Sequence, residues 1–336
     1  MKDSQSSLQT LTQIFGASWI TQGLWVAAEL GIADLLVNGP LTAEELAEQT
    51  QTNGGVLYRV LRALTSVGIF AQDPHGRFSL TPHANLLRSD VPDSQRSFAI
   101  MMGAEFHKAW GELLHSVQTG EGGFQKGFGM PFFQYMLEHP MRHGIYDAAM
   151  GAFGRAEAEA MLHAHDFSVF QTVVDVGGGS GLLLAAILNR HPKVQGILFD
   201  LPAVVERARS ALSDSGLDGR CRFAGGDFFS SVPAGADAYI MQHVIHDWAD
   251  REAIAILRNC REAMNRDGRI LLAELVIPPG NGAFFGKWLD LMMLLVGGRE
   301  RTEEEYRHLF SAAGLKLNRV IPTASEVSIV EGVRAS

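Results

Sequence analysis

Cysteine is scarce in this sequence, with only Cys221 and Cys260 in 336 residues. Two cysteines cannot build a disulfide framework, which points to a reducing compartment. They also lie too far apart to form the paired ligand spacing of structural zinc. Positive charge is in deficit: 28 Lys and Arg stand against 37 Asp and Glu, a formal charge of -9. The chain as a whole therefore offers no attraction to nucleic acid or to an anionic membrane. A long uninterrupted hydrophobic run is missing as well. The stretch from Ile14 to Leu36 is apolar overall, but Gln22, Glu29 and Asp34 interrupt it. Its apolar positions Trp19, Leu24, Ala27, Ala28, Leu30 and Ile32 predict a buried helix rather than a membrane span. The opening Met1-Lys-Asp-Ser lacks the basic-then-apolar pattern of a secretory leader. A cytoplasmic protein is expected.

What is present is an ordinary globular composition, 46% hydrophobic and 19% charged, on a chain long enough for two domains. Residues 1–100 read as a small helical domain with a hairpin. Thr42 and Glu45 form a capping box that opens a helix to about Glu48. Val56, Leu57, Val60, Leu61 and Leu64 recur at helical spacing, predicting a second helix from Gly55 to Val67. Ile69 to Ala71 and Arg77 to Leu80 then flank the turn Asp73-Pro-His-Gly76. This is the outline of a winged helix, which raises a DNA-binding regulator as one possibility. Between Leu41 and Asp90, however, Arg59, Arg62, Arg77 and Arg88 face Glu44, Glu45, Glu48, Asp73 and Asp90. The module is slightly acidic, whereas a recognition helix needs a basic face.

Residues 101–165 read as a helical connector rich in Met, Phe and His, including His107, Trp110, Met150 and Phe153. Such residues fill cores, and their density here also suits the wall of an apolar pocket. From Phe167 onward, over residues 166–336, short strands alternate with helices. Strands are predicted at Thr172 to Val176, Gln195 to Phe199, Cys221 to Ala224, Ala238 to Met241 and Ile270 to Val276. Further strand-like runs follow at Lys316 to Ile321 and Val327 to Val330. The alternation predicts an α/β fold with a parallel, doubly wound sheet.

In such a sheet ligands bind beyond the carboxyl ends of the strands. The first of these ends carries Asp175-Val-Gly-Gly-Gly-Ser-Gly181, a D-x-G-x-G-x-G pattern in which Gly177 and Gly179 let the backbone approach a ligand. A dinucleotide fingerprint fails, because its last glycine would fall at Leu182, and no Gly-Lys-Ser/Thr of a P-loop follows. Asp200 at the second strand end can accept both hydroxyls of a ribose. Asp227 at the third can meet an adenine amino group while Phe228 packs on the ring. Together they predict a nucleoside ligand.

The fourth strand leads into Met241-Gln-His-Val-Ile-His-Asp-Trp248. His246 there suits a general base for a phenolic acceptor. Metal ligation is the alternative, but it wants a third ligand close by and Asp247 fits that role poorly. An imidazolium formed in catalysis needs a carboxylate, and Glu274 and Glu300 are the candidates. Glu274 interrupts an apolar strand, a costly place for an unpaired charge. Glu300 precedes Thr302 and Glu305, a second capping box, so helix entry is its other reading.

The ordered set Val174-Asp-Val-Gly-Gly-Gly-Ser-Gly181, Phe199-Asp-Leu-Pro202, Gly226-Asp-Phe-Phe229, His246-Asp-Trp248 and Gly298-Arg-Glu-Arg-Thr302 resembles the O-methyltransferases of the caffeate and acetylserotonin type and their bacterial natural-product branch. The resemblance covers most of the chain. It implies a seven-stranded Rossmann-like methyltransferase domain preceded by a mostly helical, winged-helix-like dimerisation domain. It implies S-adenosylmethionine as cofactor, held by Asp175, Gly177, Gly179, Asp200, Leu201, Asp227, Phe228 and Gln242. Gln242 stands where plant members carry a lysine. His246 becomes the base, with Glu274 and Glu300 beside it and no metal. The substrate, a small aromatic hydroxyl compound, would meet His107, Trp110, Met150, Phe153, Asp247, Asp290 and Met293. A homodimer is implied, with neither nucleic acid nor membrane as partner. Methylation of nitrogen or carbon is the alternative within the same fold. A mobility-shift assay at physiological salt is expected to show no DNA binding; a retained complex would reinstate the regulator.

Overall fold

The structure is a computed structural model, and it describes residues 2–212, 216–217 and 219–335. Contacts divide the chain into two compact units, one of Met1–Ala109 with Met136–Ala152, the other of Trp110–Tyr135 with Phe153–Ser336. The segment 101–165, expected as one connector, is thus divided between them.

In the first unit a long helix, Lys2–Glu29, precedes the two shorter helices that the sequence predicts. The Thr42 side chain caps Ala43–Thr50 and Glu45 returns the bond, completing the capping box. Asn53 accepts from the Val56 N–H and starts Gly54–Ser66. Strands β1 (Phe70–Gln72) and β2 (Phe78–Leu80) pair antiparallel. Their turn is fixed by Asp73, whose Oδ1 accepts from the backbone N–H of His75 and Arg77. Ile32, Leu46, Leu57, Leu61, Leu64, Phe70 and Phe78 form the core. The long helix corrects one expectation. Ala27, Ala28 and Ile32 are buried as predicted, but Trp19 is 72% exposed, in line with Leu8, Leu11, Ile14 and Phe15. Among the described residues, full burial on this helix is confined to its C-terminal part, and the apolar side chains of Leu8, Leu11, Ile14, Phe15 and Trp19 are exposed.

In the second unit the strands are β3 (Thr172–Val176), β4 (Gln195–Asp200), β5 (Cys221–Gly225), β6 (Ala238–Gln242) and β7 (Arg269–Glu274). Two short strands, β8 (Val276–Ile277) and β9 (Arg301–Thr302), form a separate parallel pair. The last two are β10 (Leu315–Pro322) and β11 (Ser328–Arg334). The main sheet runs in the order β10-β11-β7-β6-β3-β4-β5. Side chains alternate into two cores: Val174, Val176, Ile197 and Phe199 on one face, Val173, Leu198, Ile240 and Leu271 on the other. Burial on both faces is what continuous apolar strands require.

The alternating strands β3 to β7 are parallel as the sequence predicts, and the two strand-like runs after the last helix, whose direction the sequence leaves open, make an antiparallel edge. β11 runs antiparallel to both β7 and β10, and β10 carries a bulge between Leu317 and Arg319. The expected strand Ile270 to Val276 stops short. It leaves the sheet after Glu274, and Val276 pairs instead with Arg301. Among the described residues no helix is long and apolar enough to cross a membrane.

The antiparallel edge is tied by Glu331 of β11, which is fully buried. Its carboxylate accepts from Arg269 Nη1 at 2.9 Å and Arg319 Nη2 at 3.2 Å, and from Asn318 Nδ2. His165 Nε2 lies 3.5 Å away. Burial alone would push its pKa up, but the bonds from His165, Arg319 and Asn318 and the Arg269 charge hold it down at about 2, against an ordinary 4.5. A carboxylate lowered in the fold stabilises above its unfolded value, and that contribution vanishes as pH falls through its folded value. Urea unfolding is therefore expected to show stability falling between pH 4.5 and 2. Glu331→Gln is expected to lose about 3 kcal/mol at neutral pH and to flatten that dependence.

Candidate active site

The site begins where β3 ends. Gly177, Gly179 and Gly181 have φ of +69°, +55° and +77°, the left-handed region that glycine enters without a Cβ penalty. Gly178 is confined for a different reason: a Cβ there would lie 2.4 Å from Leu198 Cδ1 and 2.7 Å from the Asp175 carboxyl carbon. At Gly179 a Cβ would meet nothing within 4 Å, so this is the open side of the loop. The Gly179 N–H donates to Asp200 Oδ2 at 2.9 Å, and Leu201 N–H donates to Oδ1 at 2.7 Å. Asp200 of β4 is thereby locked against the loop, with its neighbour Leu201 exposed.

Asp175 is placed otherwise than expected. It is 2% exposed and lies beneath the loop, so it supports the turn rather than presenting a carboxylate on the open side. Burial first, then the Asp200 charge, raises its pKa to about 7. At the end of β5, which pairs with β4 through Asp200 and Gly225, Asp227 is exposed and its Oδ1 accepts from the Phe229 N–H at 2.8 Å. Phe228 is half-buried, edge-on to Trp248 with ring centroids 5.9 Å apart. The three strand ends thus stand side by side as the spacing predicts.

β6 turns abruptly into the histidine segment. His243 adopts φ +54°, left-handed and non-glycine, a conformation that costs about 1 kcal/mol or more. Its Nε2 meets Glu157 Oε2 at 2.7 Å, and Gln242 Nε2 donates to the same oxygen at 2.7 Å. Burial opposes a charge on His243, but the Glu157 hydrogen bond and charge outweigh it and hold its pKa at about 9. Burial would raise Glu157, yet its partner His243 leaves it lowered.

His246 sits in the 3-10 turn Ile245–Asp247. Its Nδ1 is 2.7 Å from Glu300 Oε1 and 3.4 Å from Glu274 Oε2. Its Nε2 lies 3.6 Å from Asp247 Oδ1. Glu274, the last residue of β7, accepts the Ile245 N–H on Oε1 at 2.9 Å. Because β7 leaves the sheet just there, a strand residue faces the histidine turn. Burial raises Glu274, lifts Glu300 to about 8 and lifts Asp247 to about 7. His243, His246 and Glu274 also offer donor atoms within 4.8 Å of one another. The third ligand that the sequence does not reveal is Glu274, but its Oε1 and His246 Nδ1 are engaged by the Ile245 N–H and Glu300.

The remaining sequence candidates divide. Asp290, on the helix Gly286–Val296, accepts the Glu300 N–H at 2.9 Å and so orders that residue's backbone. Met293, on the same helix, is buried. Trp110 and Phe153 belong to the second unit, His107 and Met150 to the first. Glu157 is a residue that sequence reasoning misses. It lies 86 positions from His243 in an alanine-rich helix, and no local pattern marks it.

Residues 110–316 match the O-methyltransferase domain family, and residues 12–90 match the O-methyltransferase dimerisation domain family. The chain is 49% identical, over 96% of its length and 94% of the relative's, to the phenazine O-methyltransferase of Lysobacter antibioticus. Against the crystal structure of LaPhzM the TM-score is 0.94 at 48% identity, covering 97% of this chain and 99% of that one. The O-methyltransferase NcsB1 of neocarzinostatin biosynthesis, solved with S-adenosylmethionine and 2-hydroxy-5-methyl naphthoic acid, aligns with a TM-score of 0.84 at 34% identity, over 94% of this chain and 96% of that one. Matched by both domains and by whole-length relatives, this chain belongs to the O-methyltransferase family.

Proposed function

We propose that this protein transfers the methyl group of S-adenosylmethionine to a hydroxyl of a fused-ring aromatic metabolite of the phenazine type, with His246 as general base. The observation that carries the reaction is the buried pair of His246 Nδ1 and Glu300 Oε1 at 2.7 Å, flanked by Glu274 at the sheet's carboxyl edge. The similarity to a phenazine O-methyltransferase supports the substrate class.

The chain's residues fit the donor. Gly177 and Gly179 give a loop whose open side no Cβ fills, and Asp200 is fixed beside it for a ribose. Asp227, Phe228 and Leu201 border the same strand ends, and Gln242 follows from β6. When bound, S-adenosylmethionine supplies an electrophilic methyl group on its sulfonium. Everything else falls to the protein: positioning, exclusion of water and removal of one proton. With Glu300 accepting the Nδ1 proton, Nε2 is the nitrogen left to take the acceptor's proton. Glu274 and Glu300 then face the imidazolium in a buried setting, where the attraction is strongest. Asp247 lies on the Nε2 side, and we place the acceptor's polar atoms there. Trp110 and Phe153 of the second unit supply aromatic substrate contacts in this proposal. Asp290 orders Glu300, and Met293 is buried on the same helix.

The exposed apolar face from Leu8 to Trp19 lies partly within the dimerisation match, and supports a homodimer through the first unit. Free Cys221 and Cys260 suit a cytoplasmic enzyme.

Assays with methyl-labelled donor and a panel of hydroxyphenazines, simple phenols and aromatic amines test the reading. Transfer to a hydroxyphenazine oxygen is expected; methylation confined to nitrogen or carbon overturns it. His246→Ala is expected to lower kcat at least about 100-fold while the protein still binds S-adenosylhomocysteine. Asp200→Asn should instead raise KM for the donor about 10-fold or more, because a charged hydrogen bond is lost.

A further inference from the structure

Arg301 heads the large side chains buried almost completely, at 1% exposure, yet it has no part in the proton transfer just described. Its donors are nearly all committed. Nε and Nη2 donate to Asp250 Oδ1 at 3.0 and 2.7 Å. Nη1 donates to the Ile245 carbonyl at 3.1 Å, and Nη2 to the Trp248 carbonyl at 2.9 Å. Ile245 and Trp248 stand on either side of His246 and Asp247, so the guanidinium bridges the two ends of the turn that carries the base. A planar fork reaches both carbonyls at once, whereas a lysine ammonium on a flexible stem cannot.

The rest of this segment reinforces the bridge. The Arg299 N–H donates to the His246 carbonyl at 2.7 Å. Gly298 has to be glycine, since a Cβ would stand 2.1 Å from that same carbonyl oxygen. Between Arg299 and Arg301, Glu300 takes the imidazole Nδ1. One short stretch of chain thus holds the histidine by its backbone and by its ring.

We propose that Arg301 is a positioning residue for methyl transfer: it clamps the Ile245–Trp248 turn and so sets the His246 ring against Glu300. This rests on His246 being the base. Loss of the clamp lets the ring drift by a fraction of an ångström to an ångström, and misplacement on that scale costs about 100-fold in rate.

The full-length enzyme tests it. Arg301→Gln is expected to lower kcat about 100-fold, counted per site that binds S-adenosylhomocysteine, with KM for the donor changed less than about 3-fold. Arg301→Lys keeps the buried charge but not the double reach, and should lose about 30-fold; it replaces the Gln variant should that one not fold. Introduced into His246→Ala, Arg301→Gln should cost nothing further. Wild-type kcat per binding site in Arg301→Gln, or an undiminished loss in the His246→Ala background, overturns the clamp. Full activity of His246→Ala would remove the base assignment instead. The ¹⁵N-histidine signal of His246 then still decides the clamp, since an unchanged signal in Arg301→Gln would exclude it.

Discussion

Removing a carboxylate from water costs several kcal/mol unless hydrogen bonds and opposite charge replace the lost hydration. The second unit buries Asp175, Glu274, Glu300 and Glu331 nonetheless, and much of its architecture follows from how each is compensated. Glu331 is surrounded by donors from β7, β10 and the segment after the Pro140–Ala164 helix, and stays ionised far below the usual range. Glu274 and Glu300 each have one oxygen hydrogen-bonded and one buried without a hydrogen bond, and burial raises their pKa values. The same residue type is therefore held ionised at one edge of the sheet and pushed toward its neutral form beside His246.

The histidine cluster extends that contrast. His243 is paired with Glu157 and held protonated, whereas His246 is paired with Glu300 at Nδ1 and keeps Nε2 toward Asp247. Two imidazoles with ring centroids 5.1 Å apart are thus held by different carboxylates. Backbone geometry enforces the division. The left-handed turn at His243 aims its ring toward Glu157, and the 3-10 turn that follows presents His246 to the other side.

Much of this was legible in the sequence because it is local. The capping boxes at Thr42 and Thr302 and the alternating glycines depend on residues within a few positions of one another, and they take the expected conformations. Strand direction is not local: the pattern of Ser328 to Arg334 would be the same in a parallel or an antiparallel pairing. The exposed face of Lys2–Glu29 escaped for a related reason, since apolar spacing predicts that a face is covered but not by which chain. Glu157 and Arg301 depend on contacts across 86 and 56 positions respectively. Asp175 shows the reverse case, a motif residue read as ligand-facing whose burial only the packing of Leu198 and Gly178 reveals.

The bulge in β10 has a bearing on how copies of this protein meet in solution. β10 is an outer strand of the sheet, and an outer strand with free backbone donors is a template for unwanted pairing. Here the register slips between Leu317 and Arg319, Lys316 and Arg319 are exposed, and Pro322 closes the strand. A twisted, positively charged edge that ends in an imide nitrogen is a poor surface for another strand to join. Association through this edge of the sheet is thereby discouraged, whatever surface two copies use to meet.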